Sequence, residues 1–163
     1  MAVGSARIER LLETLRRELT MGGTIFSGLK LNIETITEDN KTLTAADSGT
    51  RFLFGSVSTG TITLPAVATA GSGWHCEFWL TTEGEETTIT APGTDLILGH
   101  IVTGADNNNR QLQPTATGNA PFEAIVFTTN AKKGDWVSLF CDGTNYFIKG
   151  DSRYNNGIQS QQE

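Results

Sequence analysis

The 163-residue chain is short of most of the side chains that carry chemistry, with two histidines, two cysteines and four prolines. No apolar run approaches the roughly 18 residues that a membrane-spanning helix needs. Cations are scarce too: 12 Lys and Arg stand against 18 Asp and Glu, a formal net charge of −6. Nonspecific nucleic-acid binding needs a basic face, so the body of the chain is not expected to hold DNA or RNA. The periodic segment at the start is studded with Arg and Glu, unlike the apolar stretch of a secretory signal. The expectation is a soluble, acidic protein made in the cytoplasm, with no membrane partner. Without a secretion signal, Cys76 and Cys141 are expected to be buried free thiols rather than a disulfide, and they have no metal-ligand spacing.

Threonine and glycine are abundant, about two dozen and 18 respectively. That composition favours strands and tight turns. After Gly23 the pattern has period two in short runs: residues 31–37, 51–54, 61–65, 73–82, 86–92, 95–102, 123–129, 135–143 and 145–150. In GWHCEFWLTT, Trp74, Cys76, Phe78 and Leu80 share one face against His75, Glu77 and Trp79. Eight or nine such strands separated by turns predict a mainly β domain, an antiparallel, jelly-roll-like β-sandwich. CDGTNYF, residues 141–147, is the strongest hairpin signal. Residues 103–121 form the longest stretch without periodicity, and the tail from residue 153 is polar and expected to fray.

One segment breaks the pattern. Ile8, Leu11, Leu12, Leu15 and Leu19 fall on a single helical stripe, with Ser5 as N-cap and Gly22-Gly23 as terminator. A helix of about fifteen residues is marginal alone in water, so this stripe calls for a partner. The predicted organisation is therefore a helical arm over 1–22, a β-sandwich over 23–152 and a flexible tail over 153–163.

The residues offer little catalysis. His75 and His100 stand in no HxH, HExxH or His-Asp-Ser context. Glu83, Glu85 and Glu86 lack the alternating oxygens of a calcium loop, and Asp106 with Asn107, Asn108 and Asn109 reads as turn chemistry. No phosphate-cradling loop precedes a helix. No catalytic residue, cofactor or metal site is expected, and the chain is not expected to be an enzyme. Aromatics carry more information: Trp74, Trp79, Trp136, Tyr146 and Phe147 lie on strands whose two faces cannot both be core. Trp79 is predicted to face outward, at a subunit or ligand contact.

TLTAADSGTRFLF (42–54), TGTITLPAVATAGSGWHCEFWLTT (59–82) and DWVSLFCDGTNYFIKG (135–150), in that order and spacing, resemble β-rich domains of tailed-phage virion proteins. Such domains occur in capsid decoration (cement) proteins and in some tail-fibre segments. The resemblance covers roughly residues 42–150. It implies a structural virion protein on the outer surface of the capsid that bridges major capsid protein subunits and associates with itself, as a homotrimer. Capsid contact is assigned to the arm, through Ile8, Leu11, Leu12, Leu15 and Leu19, and to the first extended segment, through about residue 37. The alternative is a tail-fibre or adhesin domain binding host glycan through exposed aromatics and the 103–121 loop.

Overall fold

β-branched and aromatic residues at alternate positions can satisfy both a ladder and a core only if each strand buries one face. The computed structural model describes residues 31–55, 60–104, 110–114 and 122–161, and throughout them the chain takes that solution. The strands are β1 (Asn32–Thr35), β2 (Asn40–Thr42), β3 (Thr50–Phe54), β4 (Gly60–Thr63), β5 (His75–Leu80) and β6 (Thr87–Thr90). They continue as β7 (Ile97–Gly104), β8 (Arg110–Pro114), β9 (Ala124–Phe127), β10 (Trp136–Cys141), β11 (Tyr146–Ser152) and β12 (Ile158–Gln161). A seven-stranded sheet in the order β1-β3-β5-β10-β11-β7-β8 packs on a five-stranded sheet in the order β12-β9-β6-β4-β2. The molecule is a mainly β, sandwich-like structure, as the alternation indicates.

Pairing within the sheets is mixed, which departs from the wholly antiparallel, jelly-roll-like arrangement expected. β1, β3 and β5 run parallel in one sheet, and β2, β4 and β6 run parallel in the other. Consecutive strands here alternate between sheets, so each returns to its own sheet in the same direction. A side-chain period of two is common to both pairings, so alternation could not separate them. The second half is largely antiparallel: β5 with β10, β10 with β11, β6 with β9, and β9 with β12.

Between the sheets, Phe52, Phe54, Phe78, Phe122, Phe127 and Tyr146 have no exposed surface. Phe52 stacks on Phe78 at 5.4 Å, and Phe54 meets Phe127 edge-on at 4.8 Å, joining one sheet to the other. Each such ring contributes about 1.5–3 kcal/mol through removal of its surface from water. At the end of the sandwich where β1 and β2 are edges, Lys41 on β2 pairs with Glu34 on β1, and its ammonium lies 5.9 Å from the Phe52 ring centroid.

Turn chemistry follows the sequence closely. The Asp142 carboxylate accepts the amides of Thr144 and Asn145 at 2.7 and 2.8 Å, closing the β10–β11 hairpin, with Gly143 at φ 97°. Thr44 and Asp47 form a reciprocal cap around the 3₁₀ turn Ala45–Asp47, and Gly49 at φ 81° turns the chain into β3. Pro65 lies just beyond β4, and its carbonyl accepts the buried Tyr146 hydroxyl at 2.5 Å. Desolvation pushes the Tyr146 phenol well above its ordinary range, so it stays a donor. Tyr146→Phe is expected to cost about 1–2 kcal/mol by leaving that carbonyl unpaired, read as a lower urea midpoint at unchanged m-value. A midpoint equal to wild type would mean that water replaces the hydroxyl.

Three further expectations need revision or placement. The polar tail supplies β12, in which Ile158 is buried and pairs opposite Phe127. One inward apolar residue among exposed glutamines suffices, because β12 is an edge strand. Within the stretch read as aperiodic, β7 extends through Gly104 and pairs antiparallel with β8. The arm stripe of Ile8, Leu11, Leu12, Leu15 and Leu19 lies outside the described residues.

Both cysteines are unpaired and buried. Burial pushes the Cys76 thiol well above its ordinary value and also raises Cys141. Neither is expected to react with iodoacetamide at neutral pH in the native state, and both should react in denaturant. Rapid native alkylation would contradict the packing around them.

Candidate interaction surface

The outer face of the seven-stranded sheet is dictated by the same alternation that builds the core. In β5, Cys76, Phe78 and Leu80 are buried, which sends His75, Glu77 and Trp79 outward. In β10, Val137, Leu139 and Cys141 point inward, leaving Trp136, Ser138 and Phe140 outside. Strand register lines these residues up in three rows. One row runs Leu53, Trp79, Trp136, Asp151, Val102; the next runs Ile33, Arg51, Glu77, Ser138, Lys149, His100; the third runs His75, Phe140, Phe147, Leu98.

Two aromatic stacks bound the face. Trp79 and Trp136 lie nearly parallel, with centroids 5.5 Å apart and planes 15° apart. Phe140 and Phe147 stack at 5.1 Å and 14°. Four residues along β10 separate Trp136 from Phe140, a span of roughly 13 Å. Ser138 lies between them on the same face.

Trp79 is fully engaged. The Arg51 guanidinium carbon lies 5.1 Å from its ring centroid, approaching from β3, while Trp136 approaches from β10 on the other side. The indole N–H donates to Glu77 Oε2 at 3.1 Å, and Arg51 donates to the same oxygen through Nε at 2.6 Å. Burial alone would raise the Glu77 carboxyl. Hydrogen bonds from Trp79 and Arg51, with the charges of Arg51 and Lys149, outweigh it and hold the group below its ordinary value. A depressed folded value stabilises the fold above the unfolded value, about 4.3, and that contribution disappears as pH falls through the folded value. The Glu77 carboxyl carbon is therefore expected to titrate at lower pH by NMR than in the unfolded chain. An unchanged midpoint would contradict the Arg51–Glu77–Trp79 cluster.

Phe140 differs from Trp79 in being 52% exposed. Of the four most exposed large apolar side chains among the described residues, Ile33 and Phe140 lie on this face, and Leu31 immediately precedes its edge strand. The opposite face of the molecule contrasts with it. There the outward residues of β4 and β6 are Thr61, Thr63, Thr88 and Thr90, flanked by Val126 on β9.

No protein-family model, curated protein or solved structure matches this chain. Trp79 faces outward as predicted, and Arg51 and Trp136 both pack against its ring, so it supports the face rather than standing free. Trp136, Phe140 and Phe147 are the aromatic residues presented beside it. Phe140 was legible in the sequence, since WVSLFC places it opposite Val137 and Leu139; its stacking on Phe147 required the register. His75 and His100 are exposed on the same face, with His75 Nδ1 3.0 Å from the Gly73 carbonyl oxygen. Elsewhere, Glu83 accepts the Lys133 amide at 3.0 Å and pairs with Lys132, consistent with its reading as a turn residue. Among the described residues no group of three or more His, Cys, Asp or Glu side chains is placed to hold a metal ion.

Proposed function

We propose that this chain is a structural virion protein that decorates a tailed-phage capsid and stabilises it by bridging major capsid subunits, acting as a homotrimer on the outer surface. Beside the arm assigned from the sequence, the aromatic face of the seven-stranded sheet is a docking surface for that shell. The observation that carries this reading is the stack of Phe140 on Phe147, with Phe140 half exposed on a face that also carries the Trp79–Trp136 stack and the Arg51–Glu77 pair. Aromatic residues and arginine dominate the energetics of protein interfaces, and cross-strand stacks hold them at low entropic cost.

The sequence resemblance described above supplies the partner, and many symmetric copies would convert modest contacts into firm attachment. The glycan-binding alternative is favoured less by this geometry, because the Trp79 ring is engaged by Arg51 and Trp136 rather than standing free for a sugar. The test is co-sedimentation with shells stripped of this protein. Wild type is expected to pellet with the shells. A Trp136→Ala chain, with the stack removed and the core untouched, should bind about tenfold or more weakly. Equal binding of both would remove the face from the contact. A glycan array with hits lost in the same variant would move the function to an adhesin.

A further inference from the structure

The middle row of this face points to the chemistry of what it receives. Ser138, Lys149 and His100 stand side by side across β10, β11 and β7, in direct register. Lys149 and His100 are exposed, and Lys149 makes no ion pair among the described residues. Farther along the row, Glu77 pairs with Arg51 at 2.6 Å, and the Lys149 charge acts on it only from a distance, without an ion pair. Asp151, in the adjoining row, has an interaction of its own. Among the described residues Lys149 is thus the exposed lysine between the two aromatic stacks of this face, on a chain of net charge −6.

We infer that the partner presents to this strip an acidic side chain flanked by apolar residues, its carboxylate meeting Lys149 and its neighbours covering Phe140 and Phe147. This rests on the docking surface proposed above and assigns the partner's chemistry at it. Charge complementarity selects that chemistry. A molecule with an excess of six negative charges repels acidic surfaces in general, and this strip admits one. Ser138, small and partly buried, stands opposite Lys149 in register, and its hydroxyl can donate to the same carboxylate. His100 adds a second nitrogen donor on the far side of Lys149.

The test compares Lys149→Gln with Gln159→Glu, both of which lower the net charge by one. Gln159 is exposed on β12, in the other sheet, and serves as the control for long-range charge. Binding to stripped shells would be measured in about 0.1 M and about 1 M NaCl, where the screening length falls from roughly 10 to roughly 3 Å. Lys149→Gln is expected to bind about fivefold or more weakly at low salt and to lose most of the salt sensitivity of wild type. Gln159→Glu should behave as wild type, and Lys149→Arg should retain binding. Salt-insensitive binding by wild type, or identical loss in Lys149→Gln and Gln159→Glu, would overturn the acidic partner and leave the docking surface standing. Failure of wild type to bind shells at all would overturn both.

Discussion

Replacing Phe140 by glutamate is expected to weaken attachment to the shell by about thirty-fold or more, the size of effect that marks a dominant interface residue. Two consequences of the substitution act together. The apolar contact area of a half-exposed ring is removed, and a carboxylate is placed next to the strip that is argued to receive one. The fold should survive, because Phe140 lies outside the core and its neighbours Leu139 and Cys141 supply the buried face of β10. Loss of the Phe147 stack alone costs about 1 kcal/mol. The check is shell co-sedimentation alongside thermal melting. Undiminished binding by a folded Phe140→Glu chain would exclude this face as the docking surface, and the melt separates that result from simple unfolding.

Asp135→Ala is expected to be the most damaging change outside the aromatic core. Its carboxylate is 3% exposed and accepts three hydrogen bonds: from the Lys132 amide at 3.0 Å, the Ser152 hydroxyl at 2.8 Å and the Arg153 amide at 2.8 Å. The backbone of the same residue accepts from Leu80 at 2.9 Å and donates to Lys132 at 2.8 Å. One side chain thereby ties the start of β10 to the end of β11, beside the end of β5. Alanine leaves the Lys132 and Arg153 amides without their acceptor, while the Ser152 hydroxyl can turn to the Tyr154 carbonyl at 3.1 Å, a loss of about 3 kcal/mol after partial rescue by water. For a domain of this size that lowers Tm by about 10 °C. Ser152→Ala, which removes one of the three donors, should cost about 1 kcal/mol. A Tm for Asp135→Ala within about 2 °C of wild type would mean that solvent satisfies the site fully. The aromatic face is built on β5, β10 and β11, so Asp135→Ala should also weaken shell binding near its melting range and not far below it.

How much of this was legible beforehand depended on whether a feature was local. Alternation in GWHCEFWLTT placed Trp74, Cys76, Phe78 and Leu80 inside and Trp79 outside, and Asp142 announced its hairpin. These are properties of a few adjacent residues. The parallel rungs were not legible, because pairing direction depends on which sheet the chain enters next and leaves no trace in a period of two. β12 was missed because a polar edge strand needs only Ile158 to anchor it, and one apolar residue among glutamines gives no periodic signal. Trp79 was identified, yet its role as a braced support, rather than an open platform, follows from Arg51 and Trp136 closing on it from neighbouring strands. Those neighbours lie 28 residues before it and 57 residues after it in the chain (79 − 51 and 136 − 79). Asp135 was recognised only as the opening of a strand, since burial of a carboxylate is set by loops that meet in three dimensions.

The most direct measurement is site-specific photo-crosslinking to stripped shells. A photoreactive side chain would be placed in turn at Phe140, on the aromatic face, and at Thr88, on the threonine-rich face of the opposite sheet. Docking through the seven-stranded sheet predicts a crosslink to the major capsid protein from position 140 and none from position 88. A crosslink from position 88 alone, with position 140 silent, would contradict it.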